Sequence, residues 1–131
     1  MGGNIMKEDY VSLEVAKLLK EKGFNWYCRA LYAPGSEVLS HSFGVSNTYD
    51  VDVYAAPTLY MAQKWLRKEK GIYVWVEPVV GHKWTVSFCD LNVSAEESDW
   101  IERELHKDGY PIYNTFEEAL QIGILEALKL I

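Results

Sequence analysis

The residues best suited to chemistry in this sequence are two cysteines, Cys28 and Cys89, three histidines, His41, His82 and His106, and the aspartates Asp50 and Asp52. A thiol beside an imidazole, with a carboxylate to orient the ring, would make a nucleophile for acyl or thiol transfer. The spacing does not assemble one. His41 stands between Ser40 and Ser42, His82 in the turn-like Val80-Gly81-His82-Lys83, and His106 at the end of an acidic stretch. Each reads as a solvent-facing or locally hydrogen-bonded ring. The cysteines lie far apart in apolar, strand-like surroundings and read as reduced thiols that pack as small hydrophobes, with a disulfide between them as the alternative that spacing leaves open. Asp50 and Asp52 project from one face of an alternating segment, but further oxygen ligands and a calcium-loop glycine are missing. Zinc spacings and glycine-rich phosphate loops are absent too, so the sequence implies no catalytic residues, no metal and no cofactor.

Aromatic side chains are the more prominent feature, with five Trp, nine Tyr and four Phe making 14% of the chain. In the segment from Ile72 to Glu77, Tyr73 and Trp75 share one face while Ile72, Val74 and Val76 share the other. Both faces cannot pack on the same helices. If helices cover Val74, then Tyr73 and Trp75, together with Trp84 or Tyr27, form a second aromatic surface of the kind that anchors interfaces. Tyr27, Tyr73, Trp75 and Trp84 are therefore the candidate binding residues. The competing reading is that the connector from Leu91 to Tyr113, which carries Trp100 and Tyr110, folds back over that surface.

The elements that must position these rings follow from periodicity. Ser12 to Gly23 reads as a short amphipathic helix with Leu13, Ala16 and Leu19 on one face and Val15 nearby. Lys20 and Lys22 suit the negative end of its dipole. Phe24 to Tyr32 and Glu37 to Phe43 read as a hairpin across Pro34-Gly35, with Phe24, Trp26, Cys28 and Ala30 on its inner face. Tyr49 to Ala55 alternates as a half-buried strand. Thr58 opens a second helix over Leu59 to Lys70, with Leu59, Ala62, Trp65 and Leu66 inward and Gly71 as its stop. Ile72 to Glu77 and Lys83 to Asp90 form a second hairpin. The acidic connector holds a helical turn near Ser98 to His106. Thr115-Phe116-Glu117-Glu118 is a capping box that opens a final helix, with Phe116, Ala119, Leu120, Gly123, Ile124, Ala127, Leu128 and Ile131 at helical spacing. All three helices start Ser or Thr, apolar, two others, Ala. The first two also end Lys-Glu-Lys-Gly before an aromatic strand pair, a pattern that either a duplicated unit or three similarly capped helices would give.

The expected architecture is one α+β domain over residues 12–131, preceded by a flexible arm over 1–11. It has a mostly antiparallel sheet of about four to six strands with three helices mainly on one face. At 131 residues the chain is long enough for a single core without staples. Thirteen basic against nineteen acidic residues leave a formal charge of −6, which disfavours nucleic acid and anionic membrane surfaces. No apolar run reaches the ~20 residues of a membrane span, so a cytoplasmic location is expected. The acid concentrates between Asp90 and Glu118, where nine carboxylates face only Arg103 and Lys107.

Three stretches resemble a group of short uncharacterised prophage and mobile-element proteins of gut anaerobic bacteria. They are SLEVAKLLKEKGFNWYCRALY from Ser12, PTLYMAQKWLRKEKGIYVWV from Pro57 and YNTFEEALQIGILEALKLI from Tyr113. The AQKWLR core is the most specific of these. The resemblance implies a phage-derived accessory context and carries no activity with it. The function expected is a non-catalytic protein-binding or accessory protein that uses an aromatic sheet face and takes a protein partner or a second copy of itself. The alternatives are a small enzyme with a Cys-His site and a weak single-stranded nucleic-acid binder that uses Tyr73, Trp75 and the basic run Lys64, Arg67, Lys68 and Lys70.

Overall fold

The computed structural model describes residues 9–48, 52–97 and 111–131. Its helices open on the side-chain caps that the sequence places. Ser12 accepts from the Val15 amide ahead of α1 (Leu13–Glu21), Thr58 from the Met61 amide ahead of α2 (Leu59–Trp65), and Thr115 from the Glu118 amide ahead of α3 (Phe116–Lys129). Each bond satisfies one amide that a helix start leaves without an internal partner. Past Trp65 the second helix widens into a π-helical turn, Leu66–Lys70, and stops on Gly71 at φ 67°, a left-handed conformation that a side chain would strain. The Asn92 amide nitrogen then donates to the Lys70 carbonyl at 2.8 Å.

The chain is α+β with antiparallel pairing throughout the described strands. These fall into two sheets where a single one is expected from the sequence. In the first, β1 (Cys28–Tyr32) lies between β2 (Leu39–Val45) and the short β3 (Tyr54–Ala55). In the second, β4 (Ile72–Val79) pairs with β5 (Lys83–Asp90) in unbroken register from Ile72↔Asp90 to Val79↔Lys83. β3 ends at Ala55, where the alternation places its end. Just beyond it the Val11 amide donates to the Pro57 carbonyl at 3.0 Å and the Leu59 amide to the Asp9 carbonyl at 2.9 Å. The backbone there is engaged by the N-terminal segment and is not free to extend the sheet. Val11 is fully buried, so the chain packs against the body from this segment onward. Residues 1–8, the Tyr49 to Val51 part of the expected third strand and the helical turn expected near Ser98 to His106 lie outside the described residues.

Helix α3 closes the core. Ala119, Leu120, Gly123, Ile124, Ala127 and Leu128 are buried along one stripe. That stripe lies on β4 and β5 and also meets α1 and α2. Burying each large aliphatic side chain contributes about 1.5–3 kcal/mol. The inner face it meets is Ile72, Val74, Val86 and Phe88, all buried. Contact is closest at Gly123, where a Cβ would fall 2.9 Å from Val74 Cγ1 and nearer still to Val86 Cγ2. Both valines are short, branched and held on a sheet, so neither can swing away. Gly123→Ala is therefore expected to lower the unfolding free energy by about 1–3 kcal/mol in urea titration. An unchanged midpoint would show that the helix does not sit this close.

Candidate functional site

β4 carries Tyr73, Trp75 and Glu77 on its outer face because strand side chains alternate, and helix α3 occupies the inner one. The two rings stack, with centroids 5.5 Å apart and planes 21° from parallel. Trp75 Nε1 donates to Glu77 Oε1 at 2.7 Å, which fixes the indole orientation along the strand. Tyr73 is 39% exposed. Trp75 is half-buried. Across the ladder these residues face Cys89, Ser87 and Thr85. Ser87 and Thr85 are buried, and the Thr85 hydroxyl donates to the Pro111 carbonyl at 2.8 Å. The outer face is thus a ledge: closed along β5, with an ordered aromatic rung left along β4.

The other two candidate residues do not join this rung. Trp84 pairs opposite Pro78, which puts it on the inner side with Val86 and Phe88. It packs edge to face on Phe116 with centroids 5.6 Å apart, and its amide and carbonyl both bond Tyr113. The alternation Trp84, Val86, Phe88 against Lys83, Thr85, Ser87 already carries this assignment in the sequence. Tyr27 belongs to the first sheet, just ahead of β1, and is 62% exposed there. Sequence reasoning also passed over a second exposed apolar set, Val38 and Phe43, on and beside β2. The signal for it is the absence of any Asp, Glu, Lys or Arg between Leu39 and Val45.

The thiol–imidazole alternative is not assembled around Cys28. Its side chain is buried, with Sγ 3.6 Å from the Trp26 carbonyl and 4.0 Å from Met61 Sδ. Burial pushes its pKa up to about 12, the opposite of what a nucleophile needs. His41 packs edge to face on Tyr10, and His82 occupies the β4–β5 tip at φ 58°. Cys89 is half-buried on the outer face opposite Tyr73. His106 and Asp50 lie outside the described residues, and Asp52 sits in an exposed bend. Among the described residues no cluster of three or more His, Cys, Asp or Glu could hold a metal ion.

Three lysines, Lys17, Lys20 and Lys70, make local contacts. Lys20 donates to the Val53 carbonyl at 2.8 Å, and its ammonium, with that of Lys17, lies over the Tyr54 ring. Lys17 and Tyr54 border a cleft of about 310 Å³ between α1 and the β1–β2 turn, lined also by Glu37 and Asp52. Lys70 lies over Trp65 at 5.5 Å. Among the described residues no helix is long and apolar enough to cross a membrane. No family model, curated protein or solved structure matches the chain.

The Cys28 environment has a stability consequence. Ionisation is held off in the folded state to about 12, while the unfolded thiol ionises near 9.0, so the two states bind protons equally below that range. Above it the unfolded state alone loses a proton, and stability falls by about 1.4 kcal/mol per pH unit until the folded pKa is reached. Denaturation of wild type and Cys28→Ala is expected to give a stability difference constant below pH 9 that shrinks above it, and a difference independent of pH would contradict the buried thiol.

Proposed function

We propose that this chain is a non-catalytic, protein-binding accessory protein of the phage-derived kind its sequence resembles, and that Tyr73 and Trp75 anchor its partner. The observation that carries this reading is the ordering of the rung before any partner arrives: the two rings stack and Glu77 holds the indole. Ordering an aromatic pair in advance lowers the entropic cost of binding, and Tyr and Trp contribute disproportionately to interface energy. The burial of Cys28 weighs against the thiol-enzyme alternative. The engagement of Lys70 with Trp65 weighs against a basic groove beside the rung. A carboxylate at the rung's end, Glu77, favours a partner surface with a cationic or amide donor over a phosphate backbone.

With the intact chain as bait in a bacterial lysate, wild type is expected to retain a partner in fixed stoichiometry. Tyr73→Ser and Trp75→Ser should each lower its recovery at least about tenfold. Their thermal midpoints should move little, because the rung lies outside the core. Undiminished recovery by both variants would contradict the assignment.

A further inference from the structure

We infer that the outer edge of β2 is a second interaction surface and that its occupant is β2 of another copy of this chain. This goes beyond the preceding proposal and stands on the other sheet. β2 pairs with β1 only, so among the described residues its far edge carries no strand.

The register shows which groups that edge presents. Ala30 pairs with His41, Leu31 with Ser40 and Tyr32 with Leu39. The Ala30 carbonyl accepts from the Ala56 amide at 2.9 Å on the β3 side, so the backbone groups of Ala30 face away from β2. Antiparallel alternation then sends the Ser40 groups to Leu31 and turns the N–H and C=O of both Leu39 and His41 outward. A two-fold axis through Ser40 sets Leu39 of one copy opposite His41 of the other, with all outward donors and acceptors in phase. The edge is therefore complementary to itself. Such an isologous contact uses the edge on both copies and closes at the dimer.

Chemistry selects the same occupant. The chain as a whole carries a charge of −6, yet Leu39-Ser40-His41-Ser42-Phe43-Gly44-Val45 holds no Asp, Glu, Lys, Arg or Pro. Those are the residues that ordinarily keep an open edge from pairing. Two copies can approach here without setting carboxylate against carboxylate. Phe43 is wholly exposed and Val38 largely so, which gives the paired strands apolar surface to bury at either end of the ladder. The irregularity in the β1–β2 register falls between His41 and Val45, beyond the Leu39–His41 stretch that pairs, and keeps the ladder short. A dimer of modest affinity follows.

The test is light scattering of the full chain across a concentration series. Wild type is expected to rise from 15.1 kDa toward twice that mass. His41→Pro removes an outward-facing donor together with the ring contact to Tyr10, and Phe43→Lys adds a charge to the same edge at a position with no packing to lose, so the second variant isolates the edge. Each should raise the dissociation constant at least about tenfold. Tyr73→Ser should leave it unchanged, which separates this surface from the aromatic rung. A wild type that stays monomeric at every concentration overturns the inference, including the case in which the edge takes only a foreign strand. So does association that survives Phe43→Lys, or that is lost with Tyr73→Ser.

Discussion

The close approach of α3 to the β4–β5 hairpin is the constraint from which the arrangement follows. A helix can settle this near a sheet only where one of them lacks a side chain, and Gly123 supplies the gap over Val74 and Val86. Once seated, α3 also reaches α1 and α2. The Ser12 amide donates to Gln121 Oε1 at 3.0 Å, tying the start of the first helix to the middle of the last. The two small sheets thereby share one core.

That docking also decides which rings remain outside. Because α3 takes the face that bears Val74, the alternating residues Tyr73 and Trp75 must point away from it. The opposite parity on β5 draws Trp84 inward, where Phe116 meets it. An aromatic set that looks continuous in sequence is divided by geometry into a core contact, an outer rung and, with Tyr27, a separate exposed ring. Binding through the rung and self-pairing through β2 are compatible, since they use different sheets.

Much of this is legible in the sequence where the physics is local. Ser12, Thr58 and Thr115 cap as their positions imply, because a hydroxyl three residues before an amide needs nothing distant to act. The buried stripe of α3 follows its period, and the second hairpin turns at Val80 to His82. What depends on distant partners is less legible. Beyond Ala55 the backbone at Pro57 and Leu59 bonds Val11 and Asp9, a pairing no periodicity announces. The helical periodicity continues through Lys70, but the π-helical widening after Trp65 does not show in the spacing. The rung was legible from alternation alone. The alternation of β5 likewise carries the inward turn of Trp84, whereas the separation of Tyr27 is not legible, since it depends on the strands dividing into two sheets.

A double-mutant cycle on Gly123 and Val86 measures the central contact directly. If the missing Cβ is what admits the helix, Gly123→Ala should cost far less in a Val86→Ala background than in wild type. The coupling between the two changes should then be about 1 kcal/mol or more, in the sense of rescue. Strict additivity of the two substitutions would mean that helix and hairpin do not meet at this point, and the account of the core built on that contact would fail.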